Sequence, residues 1–226
     1  VLKRQGKAHA NPEAGERLLE GWDNGPWAVE AEDLAIKQFP CCGSTHQCIT
    51  AMQRLTRNND IPVENVAGIE IMPHIRRLRH TNTPFPESEL EAKFSTQYVV
   101  ARTLLDGTVK LKDFENDAFR EEPVRRLLEV TSAQPHPDLE GDDKDNWGAE
   151  VIVTLSDGRK LSETVSNLIG RSGDNTMTPD DLWEKFEDCS ARALPSDRLR
   201  PLFDGLMTLE SVGNVAELAC LMELPA

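Results

Sequence analysis

The sequence predicts an α+β protein with a few antiparallel strands and with helices on one face of the sheet. Three observations favour this class. An apolar stripe at helical spacing follows Pro40, apolar side chains alternate over residues 66–72, and Asp157-Gly158 separates two alternating segments as in a β-hairpin. The predicted elements run in the order helix, strand, helices, hairpin and helices, which is typical of the α+β class.

The first helix is predicted between Pro40 and Asn58. Ser44 or Thr45 can cap its N-terminus. Its apolar stripe consists of Thr45, Cys48, Ile49, Met52 and Leu55. A strand over Val66–Met72 follows, and one of its faces is formed by Ala67, Ile69 and Ile71.

Helical patterns return on both sides of the hairpin. Ser88 and Glu91 form a capping box that begins one helix running to Leu105, and Asp106-Gly107 ends this helix. A short helix begins at Glu122-Pro123. The remaining predicted segments are an acidic loop over residues 135–146 and three carboxy-terminal helices that begin at Thr178-Pro179, at Ser196 and near Val215.

Composition limits the classes of partner and compartment. The chain has 226 residues with 25 Lys and Arg against 39 Asp and Glu, so its formal charge is 25 − 39 = −14. Such an acidic chain is not expected to bind nucleic acid, because that affinity rests mainly on cations that neutralise phosphates. No run of 18 apolar residues predicts a membrane span, and no secretory leader follows Val1. The chain has five cysteines, an odd number, and three of them lie within residues 41–48. This pattern predicts a reducing compartment, so we expect a cytoplasmic protein, or a mitochondrial one if it is eukaryotic.

The segment Ile36–His46 is the first place where chemistry is expected. Its Gly43-Ser44-Thr45 turn leads into a helix and offers free backbone N–H groups at the positive end of the helix dipole. Lys37 and His46 can add cationic or acid–base groups, which would suit a carboxylate or a phosphate. An ordinary capped helix with a solvated lysine accounts for the same pattern.

The segment His74–His80 is the second such place. Its arginine and histidine side chains directly follow the predicted strand and could clamp an anionic substrate, with arginine binding in a bidentate way. A solvated basic face, or a partner for the acidic segment 135–146, is the simpler interpretation. Cys41, Cys42, His46 and Cys48 could in principle bind metal, but buried structural thiols are favoured over a zinc site, so no metal is predicted.

Four stretches together resemble one known family. Lys37–His46 resembles the Lys-x-aromatic-Pro-Cys-Cys…His signature of the MmgE/PrpD family. Similar counterparts exist in that family for Arg77–Pro84, for Glu91–Gly107 and for the hairpin around Val153–Arg159. The order and spacing of the stretches agree from about residue 25 to the end. The combination is specific to the family but not to one activity within it.

The resemblance implies both an activity and a domain organisation. The family includes 2-methylcitrate dehydratases, cis-aconitate decarboxylases and iminodisuccinate epimerases, so it implies a lyase or isomerase that acts without a cofactor on a small di- or tricarboxylate. A proton or CO₂ would leave alpha to a carboxylate. The implied organisation is an all-helical domain with a smaller α+β lid, and the site lies between them. Residues 1–60 and 171–226 would belong to the helical domain, and residues 61–170 would form the lid.

The resemblance also implies roles for individual residues. Lys37 and His80 are the expected catalytic residues. Cys42 is expected to line the pocket, and His46 and Arg79 are further candidates for binding carboxylates. A homodimer is implied only by the resemblance.

The helical half that comes first in full-length members of the family has no counterpart here. The chain therefore resembles a carboxy-terminal half. Either an amino-terminal helical domain in the same or another chain completes the site, or the chain is a fragment, or it is inactive. Two rival interpretations are a non-catalytic half that docks onto the missing domain and a plain anion-binding domain.

Overall fold

The computed structural model describes residues 36–139, 148–166 and 176–223, and a four-stranded sheet with the strand order β2-β1-β3-β4 lies at its centre. The strands are β1 (Val66–Pro73), β2 (Thr131–Ala133), β3 (Ala149–Leu155) and β4 (Lys160–Val165). The α-helices of the described residues are α1 (His46–Asn58), α2 (Ile75–Leu78), α3 (Glu89–Lys93), α4 (Thr96–Asp106), α5 (Glu122–Glu129), α6 (Pro179–Ser190), α7 (Ser196–Met207) and α8 (Val215–Leu221). The predicted α+β class is confirmed.

The predicted hairpin forms β3 and β4. Side chains of β3 are alternately buried and half-buried, so one face of the sheet is covered and the other is partly open. Gly158 has φ = 86°, a left-handed conformation that glycine adopts without a steric penalty. The Leu155 N–H donates to the Arg159 carbonyl at 2.9 Å and closes the turn. The Asp-Gly signal therefore predicted this turn correctly.

The sheet is mixed rather than purely antiparallel, which corrects one part of the prediction. β1 pairs with β3 in the antiparallel sense but with the unpredicted β2 in the parallel sense. Helices α2 to α5 lie between β1 and β2 in the chain, which provides the long crossover that a parallel pair needs. In β1, Ile69 and Ile71 are buried as predicted, whereas Ala67 is exposed at an irregularity in the pairing between Val66 and Gly68.

Helices α1, α4 and α5 supply most of the core that covers the sheet. Their buried apolar side chains include Ile49, Met52, Tyr98, Val124 and Leu128, each at most 1% exposed. Burying one such side chain stabilises the fold by roughly 1.5–3 kcal/mol before entropy is counted. The predicted stripe of α1 and the Glu122-Pro123 start of α5 are confirmed.

The single helix predicted from Ser88 to Leu105 is instead two helices, α3 and α4. The chain breaks at Phe94 because Ser95 leaves the helical conformation and its Oγ accepts the Tyr98 N–H at 3.0 Å, which caps α4. Ser88 caps α3 as predicted, but the Glu91 carboxylate accepts the Glu87 N–H rather than the Ser88 N–H. Gly107 ends α4 with φ = 76°.

The carboxy-terminal helices α6, α7 and α8 also begin near the predicted positions. Thr178 and Asp181 exchange hydrogen bonds in a capping box at the start of α6. Phe203 of α7 packs against Trp183 and Phe186 of α6, at ring-centroid distances of 5.3 and 5.4 Å. Several apolar side chains of this region stay exposed, however, in contrast to those of α1, α4 and α5.

Some predictions lie outside the described residues or are not tested by them. Residues 1–35 and most of the predicted acidic loop, from residue 140 onward, are outside. The domain limits at 60/61 and 170/171 stay predictions. Within the described ranges, no helix has the length and apolar character required to cross a membrane.

Candidate functional site

The Gly43-Ser44-Thr45 turn is held by its own backbone and by α3. It forms one turn of 3₁₀-helix before α1. Thr45 donates to the Cys42 carbonyl both from Oγ1, at 2.8 Å, and from its N–H, at 2.9 Å. The Cys42 N–H in turn donates to the Lys93 carbonyl at the end of α3, at 2.9 Å. Thr45 is the N-cap residue of α1, but its side chain makes no cap hydrogen bond because Oγ1 donates to the Cys42 carbonyl instead.

The basic segment that follows β1 reaches this turn. His74 caps α2, because its Nδ1 accepts the Arg76 N–H at 3.1 Å. One turn later Arg77 is buried, and its Nη1 donates to the Gly43 carbonyl at 3.4 Å. The Nε2 of His80 lies 3.0 Å from the Ser44 Oγ. The two segments that the sequence analysis selected therefore meet, although Ser44 and His80 are 36 residues apart in the chain.

Lys37 lies on the same side of the turn. A Cβ built on Gly43 would be 4.0 Å from the Lys37 Cε, so the lysine stem passes over the glycine. The lysine is exposed. Its positive charge contributes to lowering the pKa of His46 and of Cys41, which places it within electrostatic reach of both. Lys37 and His80 thus both lie against the half-buried Gly43-Ser44 turn.

His46 lies beneath the turn rather than on its surface. It is 4% exposed, and its ring packs edge-on against Phe39 with the ring centroids 5.2 Å apart. Burial lowers the pKa of His46 to about 4, and the charges of Lys37 and Arg77 act in the same direction. His46 is therefore neutral at pH 7, so the predicted role in carboxylate binding could use only a neutral ring N–H and not a cation.

The cysteines near the turn differ in exposure. Cys41 and Cys48 are buried, and burial raises the pKa of Cys41 to about 12 and that of Cys48 to about 11. Both thiols are therefore protonated at neutral pH and are weak nucleophiles and metal ligands. Cys42 is half-buried at the turn itself. In the described part of the chain, no group of three or more His, Cys, Asp or Glu side chains has the arrangement of a metal site.

Arg77, rather than Arg79, is the arginine that contacts the turn. Arg79 is exposed after the last residue of α2, and its N–H donates to the Ile75 carbonyl. From the sequence, Arg79 was predicted as a binding residue, whereas Arg77 and Ser44 were not. No local signal separates Arg77 from Arg79, because both lie in the same basic segment and it is burial that distinguishes them. For Ser44 no such signal existed, since a serine before a helix usually predicts a cap.

A separate cleft lies between the segment Gln38–Pro40, the end of α1 and α6. Its lining includes the cations Arg57, Lys110 and Lys185 and the acids Asp181, Glu184 and Asp188. The mixed charge does not favour a polycarboxylate there. None of the five predicted site residues lines this cleft.

Comparison with known proteins identifies the family. Residues 39–202 match the MmgE/PrpD C-terminal domain, so the chain belongs to the MmgE/PrpD family, as the resemblance implied. The cis-aconitate decarboxylase of Mus musculus is 27% identical to the chain over 212 residues, and that of Homo sapiens is 27% identical over 205 residues. The cis-aconitate decarboxylase of Aspergillus terreus is 20% identical over 202 residues.

The matches cover most of this chain but less than half of each relative. They include 92%, 88% and 85% of the chain against 43%, 42% and 41% of the mouse, human and Aspergillus terreus proteins. The matched part is the C-terminal part of these relatives. The chain thus spans less than half the length of these relatives, which are lyases by name.

Proposed function

We propose that this chain supplies the carboxy-terminal part of an active site that acts on a small di- or tricarboxylate as a lyase or isomerase. The observation that carries the proposal is that Lys37 and His80 both lie against the half-buried Gly43-Ser44 turn, to which the Arg77 guanidinium is also bonded. In a chain of charge −14, a polycarboxylate needs such a local cationic cluster.

The proposed chemistry develops negative charge next to a carboxylate. When CO₂ leaves, the C–C bond breaks and the electron pair stays on carbon until a proton is supplied. When a proton is removed, the same carbanion or enolate forms. A lysine ammonium stabilises that charge more strongly in the transition state than in the substrate, and an imidazole exchanges the proton. We assign the first role to Lys37 and the second to His80.

The names of the relatives support decarboxylation of cis-aconitate as the first activity to test. An identity of 20–27% supports the reaction class more strongly than the particular substrate. The amino-terminal helical half would cover the turn and exclude water from it, which strengthens each electrostatic contact. Cys42, Arg79 and, as a neutral donor, His46 are the proposed substrate-binding residues.

The test is turnover of the complete assembly, in which this chain is joined to or co-expressed with an amino-terminal helical half. Lys37→Ala is expected to abolish turnover of cis-aconitate, 2-methylcitrate or iminodisuccinate, because the developing charge loses its cation. Lys160→Ala, which removes an exposed lysine at the start of β4, is the matched control and is expected to retain activity. Unchanged turnover in Lys37→Ala would contradict the proposal.

A second candidate function is a non-catalytic half that docks onto a helical partner. The observation that favours it is the set of apolar side chains near the carboxy-terminal end that are 45–63% exposed, namely Leu206, Met207, Leu209, Val215 and Met222. Comparing the chain alone with the assembly separates the two candidates. Binding of the partner without turnover of any of the three substrates would support docking alone, and carboxylate binding by the isolated chain without turnover would support a plain anion-binding domain.

A further inference from the structure

The imidazole of His80 is held at one of its two nitrogens. Its Nε2 lies 3.0 Å from the Ser44 Oγ, while the side chain as a whole is exposed. The contact joins the turn before α1 to the segment after α2. A second link between the same two segments, from the Arg77 Nη1 to the Gly43 carbonyl, lies next to it. The ring is therefore tied to a fixed point on a neighbouring element.

Ser44 is well placed to hold the ring because its own position is fixed. The turn that contains it is held in place, since Thr45 donates twice to the Cys42 carbonyl and the Cys42 N–H donates to the end of α3. A hydroxyl on a preorganised turn can fix the orientation of a side chain at little further entropic cost.

We propose that Ser44 is a positioning residue that accepts a hydrogen bond from the Nε2–H of His80, so that Nδ1 is the nitrogen that exchanges the proton with substrate. This inference rests on the proposed function. A neutral imidazole carries one N–H and one lone pair, and the partner of one nitrogen determines the state of the other. With Nε2–H donating to Ser44, the lone pair lies on Nδ1. The proton taken from or returned to the substrate carbon is then bound at Nδ1, and Nε2 keeps its own proton throughout.

The tautomer can be measured without any turnover. In the ¹⁵N-labelled chain above the pH at which the ring is protonated, we expect the nitrogen resonances of His80 to show mainly the Nε2–H form. Ser44→Ala is expected to lower that fraction, and Ser44→Thr, which keeps a hydroxyl, is expected to preserve it. Ser156→Ala is the control, because Ser156 also bonds a distant carbonyl but lies at the hairpin turn. A His80 ring that is mainly Nδ1–H, or a ratio unchanged in Ser44→Ala, would overturn the inference.

Kinetics of the complete assembly give the second readout. Ser44→Ala is expected to lower kcat by roughly ten- to a hundredfold, because a misoriented ring transfers the proton less often. KM is expected to change by less than about twofold, and Ser44→Thr is expected to recover most of kcat. In a His80→Asn background, Ser44→Ala is expected to have no further effect on kcat. If Ser44 had a merely structural role, Ser44→Ala would lower kcat in that background as well.

The two hypotheses fail in different ways. If Lys37→Ala leaves turnover intact, the proposed function is wrong whatever Ser44 does. If Lys37→Ala abolishes turnover while Ser44→Ala changes neither kcat nor the tautomer ratio, the proposed function stands and the positioning role is wrong. A Ser44→Ala effect that adds fully to that of His80→Asn would also overturn the positioning role.

Discussion

The sheet with α1, α4 and α5 is closed around its apolar side chains, whereas helices α6 to α8 bury some of theirs, such as Leu202 and Phe203, and leave others exposed. In the first region Ile49, Tyr98 and Phe119 are at most 1% exposed. In the second, Leu206 is 45% and Met222 is 51% exposed. Close packing holds side chains in fixed positions. The candidate site lies at the edge of the closed region, which can therefore give it the rigid support that a site needs. The open region instead presents apolar side chains that a further surface could cover.

The prediction with the largest expected effect tests whether the buried side chains of the first region also contribute more to the free energy of unfolding than the exposed ones of the second. Phe119→Ala removes a ring that is 1% exposed, and we expect it to lower the free energy of unfolding by about 3–5 kcal/mol. Urea unfolding followed by circular dichroism measures the loss. Leu209→Ala, at a side chain that is 47% exposed beyond α7, is the comparison from the open region. Equal losses in the two variants would remove the distinction between the regions.

The fold could be predicted from the sequence wherever a local signal decides the structure. The Asp157-Gly158 turn and the Thr178 capping box are such signals. β2 could not be predicted, because Thr131–Ala133 is only three residues long and becomes a strand by pairing with Ile69–Ile71. The break between α3 and α4 was missed because the apolar stripe continues through Phe94. The Ser95 cap, which breaks the stripe, is further anchored by a bond from Ser95 Oγ to the Thr83 carbonyl.

The candidate site was predictable as two segments but not as one arrangement. Charge and family resemblance identified Lys37 and His80. The contact of His80 with Ser44 joins residues that are 36 apart in the chain, and no local pattern predicts such a contact. The candidate residues also differ in burial, since His46 is buried and Arg79 is exposed. His46 is thus neutral rather than cationic at pH 7 because of its packing, which its residue type alone does not reveal.

A second prediction assigns a pH dependence to the closed region. Folded His46 has a pKa of about 4, against the usual 6.5 for an exposed histidine. Between these pH values the unfolded chain binds the proton more strongly, so stability falls as the pH falls through this window and is complete above it. We expect His46 to account for a loss of about 2 kcal/mol between pH 7 and pH 5.

Urea unfolding at the two pH values measures this loss in the natural chain and in His46→Gln. The variant is expected to have a smaller pH dependence whatever its stability at pH 7. The same pH dependence in both proteins would show that His46 titrates normally and is not buried as described.

A third prediction compares a cap in each region. Ser95 is fully buried, accepts the Tyr98 N–H at 3.0 Å and donates to the Thr83 carbonyl at 2.6 Å. Ser95→Ala leaves both partners unsatisfied, so we expect a loss of about 1–2 kcal/mol. Asn214 caps α8 through a single exposed bond to the Ala216 N–H, and Asn214→Ala is expected to cost only about 0.5 kcal/mol. Thermal unfolding ranks the two variants, and the reverse order would contradict the proposed difference in packing.

The smallest expected effect on stability is at Leu206 in the open region. Because its side chain is 45% exposed, Leu206→Ser is expected to change the free energy of unfolding by less than about 0.5 kcal/mol. If an amino-terminal helical half covers this surface, the same change should weaken its binding by about tenfold, since a desolvated apolar contact of roughly 1.4 kcal/mol is lost.

Leu90→Ser is the matched control, because Leu90 is 67% exposed on α3, outside the open region. Calorimetric titration of each variant with the amino-terminal half measures the affinity. Equal affinities for both variants would leave the exposed side chains of α7 and α8 without a docking role. A large loss of stability in Leu206→Ser alone would mean that this surface is already closed within the chain. The comparison between the regions holds only if Leu206→Ser affects binding and leaves folding unchanged, because an apolar side chain that awaits a partner contributes nothing until the partner binds.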